Sequence, residues 1–164
     1  MPLLVFAMLG VLLASSPSQP APSAQSAAVA LNARIDAAIA RGAPGAKLDL
    51  EFATPPGQLP SQYRRWKVKD AAITMTYVVT DSTDAAANLL RVRSQMGPTG
   101  STRVQDVGDE AYALVNQNPD ANKRMNFRRG NLVVELGVPE KMFDAVLREL
   151  LTELDRTVDG ANTR

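Results

Sequence analysis

Hydrophobic and polar positions alternate with a period of two in several stretches of this chain and recur with helical spacing in three others. The clearest pattern runs from Met125 to Leu136. Gly130-Asn131 supplies the two central residues of a hairpin turn, with Gly first as a type II′ turn requires. That register pairs Arg129 with Leu132, Arg128 with Val133, Phe127 with Val134, Asn126 with Glu135 and Met125 with Leu136. Because side chains alternate across a strand, Met125, Phe127, Leu132, Val134 and Leu136 share an apolar face, and Arg124, Asn126, Arg128 and Glu135 share a polar one.

The other elements follow from the same rules. Ala27–Arg41 reads as a narrow amphipathic helix, with Leu31, Ile35, Ala38 and Ile39 at helical spacing and Gly42 and Pro44 as its stop. Lys47–Ala53 alternates strictly, placing Leu48, Leu50 and Phe52 inward and Lys47, Asp49 and Glu51 outward. The Pro-rich residues Thr54–Pro60 form a loop. Tyr63–Lys69 reads as a short edge strand, since Lys and Arg discourage strand-to-strand aggregation. In Ala72–Thr80, Ile73, Met75, Tyr77 and Val79 face in. Asp81 or Ser82 caps a helix over Thr83–Met96, with Ala85, Leu89, Val92 and Met96 as its apolar stripe and Gly97-Pro98 as its stop. Arg103–Val107 begins a strand, Gly108-Asp109 forms a turn or bulge, and Ala111–Val115 forms a strand with Tyr112 and Leu114 on one face. Asn116–Asn122 is a polar loop. Pro139 opens the last helix, whose stripe of Phe143, Val146, Leu147, Leu150, Leu151 and Leu154 is the broadest in the chain.

This order, with links too short for parallel crossovers, predicts an α+β fold: a mainly antiparallel sheet of about five to six strands packed with three helices in a single domain. The expected polar sheet face carries Lys47, Asp49, Glu51, Thr74, Thr76, Asn126, Arg128 and Glu135. Periodicity leaves open whether the helices gather on one side of the sheet or enclose it.

Met1–Ala14 is an apolar run with the length of a signal-peptide core, short for a membrane span, and a stretch rich in Ser, Pro and Ala follows it. Residues 1–26 are therefore expected to be a signal peptide, or an N-terminal anchor at residues 3–14, plus a linker. Candidate cleavage sites are Ala24-Gln25-Ser26 and Ser26-Ala27-Ala28. Residues 27–158 form the α+β domain and residues 159–164 a disordered tail. The expected location is periplasmic or secreted, the alternative being an inner-membrane anchor.

Composition narrows the chemistry. The chain has no Cys and no His, which excludes thiolate nucleophiles, disulfides, Cys/His zinc sites and triads built on His within it. It also removes the side chain most used for proton transfer near neutral pH. Lys+Arg 18 against Asp+Glu 17 gives a net charge of +1, so no large field steers it toward nucleic acid.

Four constellations remain. Asp106, Asp109 and Glu110 beside Gly108 offer clustered oxygen ligands for a hard cation, and the same residues are the usual composition of a turn. Arg128 and Arg129 flank the hairpin turn and fit a bidentate anion site, or a solvated rim. Arg64 and Trp66, within Arg64-Arg65-Trp66-Lys67, could stack a sugar ring or base, or plug the core. Asp49, Glu51 and Glu135 on the open face could pair as hydrolytic carboxylates, or simply mark an exposed strand. No cofactor is expected.

The segment Asp106–Tyr112 (DVGDEAY), with Phe127–Val134 (FRRGNLVV) and the amphipathic helix after it, resembles small α+β sensor-like and lipoprotein domains of the bacterial envelope of the LpqN type, with a PsbP-like fold. The likeness spans roughly residues 72–157. It implies an exported, non-enzymatic binding or accessory role; the lipid-anchor Cys of that family is missing here. The expected function is binding of a protein or small anionic ligand at the envelope, without catalytic residues. The alternatives are a small carboxylate- or metal-dependent hydrolase of envelope polymers, and a purely structural membrane-tethered module.

Overall fold

The computed structural model describes residues 24–55, 61–96, 100–115 and 122–161, and of residues 24–26 and 156–161 the backbone alone. Three helices, α1 (Ala24–Gly42), α2 (Thr83–Gln95) and α3 (Glu140–Ala161), accompany seven strands: β1 (Lys47–Ala53), β2 (Gln62–Val68), β3 (Ala71–Val79), β4 (Ser101–Val104), β5 (Glu110–Leu114), β6 (Lys123–Arg129) and β7 (Leu132–Val138). They form one sheet in the order β1-β2-β3-β7-β6-β5-β4, every neighbouring pair antiparallel. The fold is thus α+β with an antiparallel sheet, with seven strands in place of the expected five to six. The strand start expected at Arg103–Val107 is β4, a four-residue edge that begins two residues earlier, at Ser101, and ends at Val104. Residues 1–23, residues 116–121 of the polar loop expected at Asn116–Asn122, most of the Pro-rich loop and the last three residues lie outside the described residues.

The β6–β7 hairpin has the register that its sequence dictates, from Met125 opposite Leu136 to Arg129 opposite Leu132. Gly130 has φ 57 and Asn131 is not left-handed, the combination that a II′ turn needs. The α3 helix follows it directly from Glu140, and α1 starts at Ala24, three residues ahead of the expected start.

The helices enclose the sheet. Ile35 and Ile39 of α1 and Phe143, Val146 and Leu150 of α3 pack on one face against Trp66, Ile73, Met75, Phe127, Val134 and Leu136. Each such side chain, fully withdrawn from water, contributes about 1.5–3 kcal/mol. The two helices approach so closely that a Cβ on Gly42 would stand 2.6 Å from Val146 Cα. Arg41 bridges them to Glu149 at 2.9 Å and Glu153 at 3.0 Å.

On the other face, α2 lies mainly over β5, β6 and β7. Ser82 caps it, Oγ accepting from the Ala85 amide at 3.1 Å. Its buried row is Ala86, Leu90 and Ser94, set against Val133. That is one row over from the expected stripe: Val92 and Met96 are exposed. The two rows lie about 100° apart on the helix, and the small, mixed side chains of α2 make neither row dominant.

Two further expectations are corrected. Tyr63–Lys69 is not an edge strand, because β1 pairs beyond it. Nor does β1 alternate strictly: the pairing shifts between Leu48 and Leu50, so that Leu48 opposes Trp66, Leu50 opposes Arg65 and Phe52 opposes Tyr63. This bulge at Asp49 leaves Leu48 and Glu51 on the α1 side and turns Leu50 and Phe52 to the opposite face. The expected polar face therefore loses Glu51, and Asn126 is buried on the half that α2 covers.

Candidate functional site

The hairpin tip is held on both sides by its neighbours. On the β3 side, the Thr80 amide donates to Asn131 O at 2.9 Å, and Asn131 Nδ2 returns a bond to Thr80 O at 2.8 Å. On the β5 side, Asp109 accepts from the Gly130 amide at 2.7 Å, from Arg129 Nη1 at 2.8 Å and from Arg128 Nη1 at 3.2 Å. Arg129 Nε reaches Asp155 of α3 at 2.7 Å, and Arg128 Nε lies 3.6 Å from Glu110. Glu110 accepts in turn from the Tyr112 hydroxyl at 2.8 Å. That hydrogen bond is the main reason the Tyr112 pKa is raised.

The residues expected to take an anion, Arg128 and Arg129, thus face the ones expected to take a cation, Asp109 and Glu110. Each set answers the charge of the other. Asp106 stands apart, exposed, in the left-handed region with φ 62. Among the described residues, no three acids converge as metal ligands would. The loop is pinned from below as well, since a Cβ on Gly108, φ 56, would meet Arg128 O at 2.4 Å. A cleft of about 460 Å³ runs along residues 103–110 beside this cluster.

Arg64 and Trp66 lie elsewhere, on β2 beneath α1, each 2% exposed. Arg64 Nη2 donates to both oxygens of Asp36, at 2.9 and 2.8 Å, and Nη1 lies 3.5 Å from Glu51. The Trp66 indole donates to Asp36 Oδ1 at 2.9 Å, and the guanidinium sits 5.5 Å from the centre of its ring. Glu51 also accepts from Asn32 Nδ2 at 3.0 Å, and Asn32 Oδ1 accepts from the Tyr77 hydroxyl. The two residues read as a sugar- or base-stacking pair are interior, and their partners are protein carboxylates. Sequence reasoning did not find Asp36, because nothing in a helical stripe says which acid will cover a strand 28 residues away.

Away from α2, the β1 and β2 end of the same sheet face presents a different surface. Leu50 and Phe52 are 40% and 53% exposed, and the Phe52 and Tyr63 rings stack with centroids 4.8 Å apart. Asp49 and Arg65 form an ion pair on the same strands at 2.6 Å. Glu135 of β7, whose side chain lies on this face, takes Arg124. The carboxylates suggested as a hydrolytic pair are therefore separated: Asp49 and Glu135 each hold an arginine, and Glu51 belongs to the α1 face. β1 is also an end strand, so its outer backbone groups have no neighbouring strand among the described residues. No described helix is long and apolar enough to cross a membrane.

No family model, curated protein or solved structure matches this chain.

Proposed function

We propose that this is an exported domain of the bacterial envelope with a non-catalytic binding role, and that it holds an extended, apolar segment of a protein partner along β1. The observation that carries the proposal is the pair Leu50 and Phe52, turned by the bulge onto the face that carries α2, at the β1 end of the sheet where both side chains stay exposed. Aromatic and aliphatic side chains stacked on an open sheet beside an unpaired strand edge suit a partner that adds a strand. Main-chain bonds would supply affinity, and alternate side chains the specificity. The arginines and acids at the hairpin tip neutralise one another, which favours a structural role there over a catalytic one. Export rests on the apolar run Met1–Ala14 and on the resemblance to envelope lipoprotein domains, with the periplasm or exterior as the location.

Site-specific photo-crosslinking from Lys47 and Ala53 on intact cells tests the reading. A discrete protein adduct is expected from the wild type and should disappear with Phe52→Ser, while the thermal unfolding of that variant stays within about 0.5 kcal/mol of wild type, as for surface changes. An adduct indifferent to Phe52→Ser would remove this face from consideration. Mass spectrometry of the mature protein addresses export: an intact Met1 would sink the processed, exported form.

A further inference from the structure

The cleft of about 460 Å³ along residues 103–110 lies at the β4 end of the sheet. Four charged side chains belong to its lining, and two of them are already spent within the protein. Asp109 holds Arg128, Arg129 and the Gly130 amide, and Glu110 takes the Tyr112 hydroxyl beside Arg128. The other two, Arg103 and Asp106, are exposed and make no hydrogen bond or ion pair with any described residue. Nor do they bridge to each other, although one cleft holds both.

The backbone of the same loop adds donors. φ is 62 at Asp106 and 56 at Gly108, and it is negative at Gln105 and Val107. Residues of alternating hand turn successive N–H groups toward one side, and such concavities take anions. The amides of Asp106, Val107 and Gly108 lie beyond the last β4–β5 pair, Val104 with Ala111, and have no acceptor among the described residues. The loop is fixed from beneath. The Asp109 amide donates to Arg128 O at 2.9 Å, and Gly108 lies so close to the same carbonyl that a Cβ would not fit. A floor held in this way leaves little ordering to be done when a ligand enters.

The geometry points to this cleft as the binding site of a small zwitterion, whose carboxylate meets Arg103 and the loop amides and whose ammonium group meets Asp106. A guanidinium suits the carboxylate because its fork of donors matches two oxygens at once. The free acid in the same cleft sets the selectivity: a simple anion meets the repulsion of Asp106, and a simple cation that of Arg103. Only a ligand that carries both charges satisfies both groups. Free amino acids and short peptides share this chemistry, and the cleft falls within the roughly 300–1,000 Å³ of small-ligand sites. β4 and β1 are opposite ends of the sheet, so the inference stands apart from the docking of a partner segment.

Chemical-shift titration of the full chain at constant ionic strength tests it, with L-alanine, glycylglycine, acetate and methylammonium in separate series. The amides of Arg103, Asp106, Val107 and Gly108 should shift saturably with alanine or glycylglycine, at concentrations at least tenfold below those needed of acetate or methylammonium. Tighter binding of alanine marks a free amino acid as the ligand, and tighter binding of glycylglycine a peptide. Arg103→Gln and Asp106→Asn should each weaken binding at least tenfold; Asn tolerates the left-handed backbone at that position, so the loop is kept. Arg148→Gln, exposed on α3, should leave binding unchanged. Absence of saturable shifts with both zwitterions, acetate binding as tight as that of alanine, or binding that persists in the Arg103→Gln/Asp106→Asn double variant would overturn the site.

Discussion

Arg64 donates from a single nitrogen to both oxygens of Asp36, and the two ends of that pair live in different environments: the guanidinium is 2% exposed and the carboxylate side chain 40%. The pair is therefore asymmetric in what its loss would do. Removing Asp36 strands a buried cation beside a single remaining acid, Glu51, at 3.5 Å. Asp36→Ala should cost about 3 kcal/mol, the low end of the range for breaking a buried pair. Arg64→Met, which takes the charge away with its partner left in water, should cost about 1 kcal/mol. Urea unfolding of the two variants checks the order, and a costlier Arg64→Met would refute it.

Alkaline pH should loosen the same corner of the molecule. Burial pushes the Tyr77 phenol up to about 12 from 10.0, against the opposing pull of Arg64. In the unfolded chain the proton leaves near the ordinary value, and in the folded chain it stays. The folded state then holds more protons in that window, and stability falls as pH rises from about 10 to about 12. The loss should be on the order of 2 kcal/mol. Tyr112, also raised, adds in the same direction. Tyr77→Phe should lower stability below pH 10 and flatten the decline above it. Urea midpoints across that range measure it, and parallel curves for wild type and variant would count against the assignment.

Asp109 holds two arginines and a turn amide. Asp109→Ala should cost about 1 kcal/mol, a few degrees in Tm, since the acceptor for the Gly130 amide is lost with the ion pairs. Asp109→Asn keeps the acceptor and should cost about half as much. The difference between the two variants should shrink little with salt, because the hydrogen bond to the amide is not screened as exposed ion pairs are.

Gly42→Ala should force α1 and α3 apart, because its Cβ would lie 2.6 Å from Val146 Cα, 2.9 Å from Val146 N and 3.0 Å from Ala145 O. All three are backbone atoms, which have little freedom to yield. A cost of about 2 kcal/mol is expected, with faster amide exchange along α1. A variant as stable as wild type would show that the helices are free to slide.

Much of the fold was legible in local signals. The Gly130-Asn131 turn, flanked by alternating residues, dictates its own register, and all five pairs read from it are present. The Ser82 cap and the strand from Ala71 through Val79 follow from equally local chemistry. What escaped depends on partners distant in sequence. Arg64-Arg65-Trp66-Lys67 is dense in charge and reads as an edge, but Asp36 and Glu51 come over Arg64 from α1 and β1 and make it interior. Arg128 with Arg129 and Asp109 with Glu110 are neighbours in sequence and so legible as local groups, which Asp106 does not join. That they would neutralise each other depends on the folding of Gly108-Asp109 against β6, where the Asp109 amide bonds to Arg128 O at 2.9 Å.

The extra residue at Asp49 has a consequence for insertions and deletions. With Asp49 skipped, Leu48, Leu50, Glu51 and Phe52 fall into regular alternation on the faces they already occupy. A deletion of that one codon would leave every downstream side chain of β1 pointing as before and would forfeit the Arg65 ion pair alone. Deleting Leu50 instead would also restore the alternation but would put Asp49 in its place on the exposed face, and deleting Glu51 would take away the second acid beside Arg64. The strand thus has one position at which its length can change without altering what either side of the sheet displays.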